Sequence, residues 1–253
     1  MTAELAPGTE PAPDAEPAPD ADPAPGTEPA PGVAAGPPSD RSRVRRLADR
    51  GRYDAATVHA ILDEAYLAHV GVVVDGEPRV LPMALGRDGD VLYLHGAVGN
   101  ALLRGADHAE VCVTVTHLDG LVLARSAFHH SMNYRSVVVL GRAEKVTDPE
   151  EKSRALDAIT DHVLPGRSRD SRPANESEAR ATTVIRVPLA EASAKVRTGP
   201  PVDEPEDLDL PHWAGVVPIR VVPGEPEQDA LQQARPDLAV LPAPTITRPG
   251  RPS

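Results

Sequence analysis

The residues whose types and spacing bear on chemistry are few. Lys195 and Arg197 stand two apart in AKVR, a run that reads as a strand, so both side chains lie on one side. Two cations so placed can hold an anion, although an alternating charged strand edge gives the same pair. His129-His130 has the composition of a metal pair. Neighbours on an extended chain point to opposite faces, so they do not close on one ion, and no metal is expected. Trp213 is the single tryptophan and Cys112 the single cysteine, the latter inside the apolar run VCVTV. A lone buried thiol excludes a disulfide framework and fits a reducing compartment. The sequence holds no GxGxxG, GxxxxGK[ST], GxSxG or HExxH, so the common nucleotide, hydrolase and zinc-protease chemistries have no anchor. No residue is assigned as catalytic.

Those residues are positioned by a chain with unequal parts. Of 253 residues, the first forty carry eight acids, no Lys or Arg, and 11 of the 29 prolines. That composition offers no apolar surface to offset ordering entropy, so residues 1–42 read as a disordered acidic tail. Pro-rich residues 223–253 read the same way, leaving 43–222 as the folded domain. The tail accounts for −8 of the net charge of −12. The balanced remainder gives no footprint for nucleic acid, and the basic run Arg41 to Arg52 reads as solvated or tail-pairing. Neither a signal peptide nor a membrane span is present in the sequence, so a cytoplasmic location is expected.

Within 43–222, Asp54 caps a helix over about 54–68 whose buried face is Val58, Ile61, Leu62 and Ala65. VGVVVDG, PRVLPMALG and DGDVLYLHG are three strands joined by Asp75-Gly76 and Asp88-Gly89 turns, a meander. VGNALLRG fits a short helix. EVCVTVTHL and LVLARSAF flank Asp119-Gly120 as a second hairpin. YRSVVVLGRAEKV is a long strand with a bulge at Gly141. Asp148-Pro149-Glu150-Glu151 starts a helix that buries Leu156, Ile159 and Val163. A last strand spans TTVIRVPLAEASAKVR, followed by HWAGVVPIRVV. Many short strands with tight turns and few helices predict a mainly β, closed or partly closed antiparallel barrel with two helices outside it.

In order, RVLPM, LYLHG, HHSMNYRSVVVLG, AKVRTGPP and HWAGVVP resemble the pyridoxamine 5'-phosphate oxidase superfamily, in particular its flavin-nucleotide-binding, nitroimidazole-reductase-like branch. The resemblance covers about 43–222. It implies a six-stranded antiparallel split β-barrel and a homodimer with FMN in clefts that both subunits line. Val80, Leu81, Pro82 and Met83 would lie along the flavin ring, with Ala84 where the family has lysine. The family's Ser-Arg-Lys phosphate turn falls on Val98-Gly99-Asn100 after His95-Gly96. A helix start with Gly99 can still present N–H groups to phosphate, with Arg104 or Lys195 supplying charge. His95 reads equally as a hydrogen-bonded strand end. Tyr134, Arg135 and Ser136 begin the strand that reaches the partner's flavin, with Ser136 at a glutamine position and Val138 at an arginine position. Lys195 or Arg197 would help hold the phosphate, and Trp213 packs on the barrel or stacks on the flavin. The function implied is an FMN oxidoreductase passing electrons from reduced nicotinamide to a small acceptor. A non-catalytic flavin module and a haem-binding split barrel using a histidine are the alternatives.

Overall fold

The computed structural model describes residues 36–237 and residue 243. The readings of disorder on 1–35, 238–242 and 244–253 lie outside the described residues. Residues 39–53 hold onto the body: Ser42 is buried, and Arg41 pairs with Glu110 and Glu191. Arg43 and Arg45 both reach Asp40.

Among the described residues, eleven strands and five α-helices follow in order. β1 (Gly51–Arg52) leads to α1 (Ala55–Glu64), which is followed by β2 (Ala68–Val74), β3 (Glu77–Met83), β4 (Leu85–Asp88) and β5 (Val91–Ala97). Then come α2 (Ala101–Ala106), β6 (Glu110–Leu123), β7 (Ser131–Arg142), β8 (Glu144–Lys145) and α3 (Pro149–Val163). The chain closes with α4 (Glu176–Ala181), β9 (Thr182–Pro188), β10 (Ala192–Arg197), β11 (Gly215–Pro218) and α5 (Ala230–Gln233). All strand pairs are antiparallel. One sheet runs β1-β10-β7-β6-β2-β3, with β11 added to the far half of β6; the other runs β4-β5-β9-β8. The fold is mainly β with flanking helices, and its antiparallel strands form two sheets, an arrangement consistent with the expected split barrel.

Local chemistry sets several elements as the sequence predicts. Asp54 accepts from the Thr57 N–H at 2.8 Å and starts α1. Asp148 accepts from the Glu151 N–H at 2.9 Å and starts α3 with Pro149 in its first turn. Asp75 and Gly76 both take positive φ, 54° and 80°, the backbone that a two-residue hairpin requires.

Other readings are corrected. The first helix ends at Glu64, short of 68, because Ala68, Val70 and Val72 already bury alternate side chains in β2. The expected meander breaks at Ala84, where the chain leaves one sheet at Met83 and enters the other at Leu85. Met83 and Leu85 both face the core, so the alternation runs through the crossing without a mark. The final run likewise divides into β9 and β10, in different sheets, at a turn where the Ala192 N–H donates to the Leu189 carbonyl.

Asp119-Gly120 makes no hairpin. β6 runs straight through it, and Asp119 is an extra residue between the pairs Leu118↔Tyr134 and Gly120↔Asn133. It is a bulge, the other use of this dipeptide's conformational tolerance. Gly141 has no bulge: it pairs regularly with Val111. A Cβ there would stand 3.0 Å from Val187 Cγ1, so this glycine lets β7 approach β9 of the second sheet. In α3 the inner residues are Ala155 and Ile159, with Leu156 partly covered, whereas Val163 is 51% exposed at the helix end.

The larger core lies between the sheets, from Val70, Val113, Val115, Val137 and Val139 on one side to Leu85, Leu92, Leu94 and Ile185 on the other, with α1 and α2 closing its ends. α3 covers the outer face of the small sheet through Tyr93, Val184 and Ile159. Among the described residues, no helix is long and apolar enough to cross a membrane.

Candidate functional site

β3 is the free edge of the large sheet, and its first six residues are exposed, with Val80 at 62%. An edge strand showing Val80, Leu81 and Pro82 to solvent is an apolar rail of the kind that ligands or partners cover. Met83 turns inward and is buried. Beside it, His69 on β2 pairs with Pro82 and with Thr114 of β6. His69 is exposed, and its side chain holds no hydrogen bond or ion pair among the described residues.

At the end of β5, His95 is half-buried. Its Nδ1 is sealed from solvent without a hydrogen-bond partner, and burial pushes its pKa down, which favours the neutral ring. Gly96 follows, where a Cβ would meet Leu103 Cδ1 at 2.8 Å. The turn is closed by its own side chains. Asn100 Oδ1 accepts from Leu102 N–H at 2.9 Å and Leu103 N–H at 3.4 Å, and Arg104 Nη1 donates to the Gly99 carbonyl at 3.2 Å. Two N–H groups that a phosphate would use are thus engaged within the chain.

Arg135 points inward. Its guanidinium donates to both Asp119 oxygens, at 2.8 and 2.9 Å, and to both oxygens of Glu64, a side chain only 3% exposed at the end of α1. The hydrogen bonds to Asp119 and then Glu64 push its pKa further up. Arg135 therefore clamps α1 to the β6 bulge, a role the sequence did not reveal because Glu64 and Asp119 lie 71 and 16 residues away. His117 joins the same corner, with Nε2 3.0 Å from the Ile61 carbonyl.

On β10, Lys195 and Arg197 do share a side, opposite Ser136 and Tyr134 of β7. Their surroundings differ. Lys195 is partly exposed and its Nζ donates to the Arg46 carbonyl at 3.0 Å, while Arg197 is 9% exposed and donates to Asn133 Oδ1 and the Pro200 carbonyl. Ser136 Oγ reaches the Lys195 carbonyl at 3.4 Å. Trp213 is 64% exposed, with its ring against Gly215.

One chain gathers these residues into three separate places. Tyr134, Ser136, Lys195 and Arg197 form a patch on the β7–β10 pair. Val80 to Pro82 lie on β3, three strands from β7 and four from β10, roughly 14–19 Å along the sheet at the usual strand spacing. The Gly96–Arg104 turn leads into α2, which packs Gly105 on Val74. That is the end of the sheet carrying Val111, seven residues along β6 from Leu118, the partner of Tyr134, or roughly 23 Å at the usual rise. Among the described residues, no group of three His, Cys, Asp or Glu side chains could hold a metal ion.

These strands, in this order, are those of a known class. The sequence profile described as pyridoxamine 5'-phosphate oxidase matches residues 54–196, and the chain belongs to that family, as its motifs implied. Among solved structures it is similar to the flavocytochrome Anf3 of Azotobacter vinelandii, at 44% identity and TM-score 0.76, over 83% of this chain and 96% of that one. It is also similar to a FAD and haem binding protein of Mycobacterium smegmatis, at 36% identity and TM-score 0.70, over 77% and 94% of the two chains. A third similar structure, of a Bacteroides thetaiotaomicron protein assigned to 5-nitroimidazole antibiotic resistance, is 28% identical with TM-score 0.49, over 58% and 86%. No curated protein matches the chain.

Proposed function

We propose that this chain is a flavin-binding redox protein of the split-barrel type, working as a homodimer, with a haem as its second redox group. One observation carries the reading. The two relatives above, covering more than three quarters of this chain, are described as a flavocytochrome and as a FAD and haem binding protein. The exposed rail Val80-Leu81-Pro82 fits the flat apolar face of a flavin ring. The distance between the three groups of site residues in one chain supports a cleft completed by a second subunit.

FAD is the flavin this reading takes in place of FMN. The Asn100 turn spends N–H donors on its own side chain, which speaks against a terminal phosphate dianion there, and FAD is the flavin described for the Mycobacterium smegmatis relative. A histidine with a free ring nitrogen is one side chain that can hold haem iron. His69 fits: it stands exposed on rigid β2, and Gly71, two residues on and on the same face, leaves the floor beside it without a side chain. When bound, a flavin accepts hydride as a pair of electrons and a haem passes electrons singly. The chain's own part is to orient the ring on β3 and present His69. Reduced nicotinamide is the proposed electron donor and a small molecule the proposed acceptor.

The absorbance spectrum of the purified full chain tests this. Flavin bands together with a Soret band are expected, with acid-released flavin whose fluorescence rises on phosphodiesterase treatment, as FAD requires. A colourless protein that takes up neither FAD nor haemin overturns it. Light scattering tests the dimer.

A further inference from the structure

We infer that Arg197, with Arg50 beside it, forms a built receptor for an anionic oxygen group, a phosphate or a carboxylate, at the Asn133–Pro200 end of the large sheet. Arg87, Arg125 and Arg135 are each partly buried, and each holds a carboxylate: Asp63 at 2.6 Å, Asp203 at 2.9 Å, and Glu64 with Asp119. Arg197 is the most deeply buried arginine among the described residues, yet it holds none. Its partners are two neutral oxygens, Asn133 Oδ1 and the Pro200 carbonyl.

A buried cation without a counter-charge is expensive, and its charged form is disfavoured. Here burial lowers the Arg197 pKa first, and the like charge of Arg50 lowers it further. Neither Arg50 nor Arg46 is in an ion pair among the described residues, and Lys195 Nζ is bound to a neutral carbonyl. Tyr134, opposite Arg197 on β7, acts the other way and raises its pKa, but no carboxylate pairs with Arg197 among the described residues.

The geometry is fixed in advance. Asn133 holds the guanidinium through Oδ1 and, through Nδ2, donates to the Gly199 carbonyl at 3.0 Å, so one amide fixes both the arginine and the loop over it. Gly199 takes φ +107°, a backbone state closed to ordinary side chains. Arginine has five N–H donors, and these two contacts leave Nε without a hydrogen-bond partner among the described residues. Nε is not among the side-chain atoms sealed from solvent without a partner, which are His95 Nδ1 and Arg125 Nε. It is therefore unspent and not fully sealed from solvent, although the residue as a whole is only 9% exposed. A role confined to stapling the loop would need no permanent charge.

The anion can be free or be the charged end of a cofactor, and the second case rests on the function proposed above. The test uses the full chain, parent against Arg197→Gln and Arg50→Gln, in three arms. In chloride buffer of constant ionic strength, inorganic phosphate should raise the parent's Tm by about 3 °C or more and leave Arg197→Gln unmoved. FAD affinity should fall roughly tenfold in the variants, with riboflavin unchanged, if the anion is a flavin phosphate. Haemin affinity should fall likewise, with its dimethyl ester unchanged, if the anion is a propionate. Discrimination in any one arm supports the receptor. If the chain binds neither cofactor but phosphate still separates parent from variant, the receptor stands and the cofactor reading falls. If no arm separates them, or if Arg197→Gln loses the same Tm with and without phosphate, Arg197 is a staple and the inference is overturned. Should Arg197→Gln fail to fold, the same arms are read on Arg50→Gln, whose side chain is partly exposed.

Discussion

Two arginines within one stretch of the large sheet live under opposite conditions. Arg135 is enclosed by Asp119 and Glu64, and its charge is neutralised by the chain itself. Arg197, on the neighbouring strand and more deeply buried, meets only neutral oxygens. The first holds elements together. The second keeps electrostatic capacity in reserve. From sequence both are polar residues near a strand end, and the family resemblance put both on the cofactor, whereas three-dimensional accounting of counter-charge separates scaffold from receptor.

The contrast can be broken by mutation, and the largest effect is expected at the clamp. Arg135→Ala leaves buried Glu64 without its cation and should cost about 3–5 kcal/mol in urea denaturation, while Arg197→Gln in anion-free buffer costs far less. Equal losses would erase the distinction. A smaller loss, about 1 kcal/mol, is expected for Asp119→Asn, because the bulge carboxylate is partly solvated and Glu64 keeps the guanidinium paired.

Asp54→Ala, which removes the cap of the helix that Arg135 anchors, should also cost about 1 kcal/mol. The Thr57 N–H holds the Asp54 carboxyl below its ordinary pKa. A depressed carboxyl stabilises the fold above the unfolded value, about 3.9, and that contribution disappears as pH falls through the lower folded value. The gap between parent and variant should therefore be constant at neutral pH and close in acid; a gap that widens in acid would refute the capping account. The smallest effect is expected at Arg172–Glu178, an exposed pair in which Arg172 and the Asn175 N–H pull the Glu178 pKa down to about 2. NMR titration should show that value, while Arg172→Ala leaves the denaturation midpoint nearly unchanged. A large midpoint shift would mean that surface pairing carries stability here as burial does at the clamp.

How much the sequence disclosed follows the range of the forces involved. Local chemistry was legible: Asp54, Asp148-Pro149 and Asp75-Gly76 act through hydrogen bonds or backbone states a few residues long. The crossings at Ala84 and between β9 and β10 were not, because side-chain alternation continues while the hydrogen-bonded neighbour changes. Asp119-Gly120 misled because bulges and turns use the same dipeptide. At the site, the exposed run Val80 to Pro82 was found through the family motif, and the shared side of Lys195 and Arg197 through the period of a strand. Glu64, Asn133, Arg50 and His69 went unnoticed, since their importance lies in partners brought from distant sequence or in the lack of one.

The free edge of β3 has one more consequence. Pro78 and Pro82 are paired along β2, opposite Val73 and His69, and successive amides two apart point the same way, so residues 78, 80 and 82 aim their nitrogens outward. Two of those three carry no hydrogen. The outer margin thus offers an incoming strand carbonyls but, over that span, only the Val80 N–H as donor. Another copy of this chain cannot zip onto it as it would onto an open ladder. An apolar rail can in this way stay uncovered during synthesis without seeding fibrils, protected by imino acids rather than by charge.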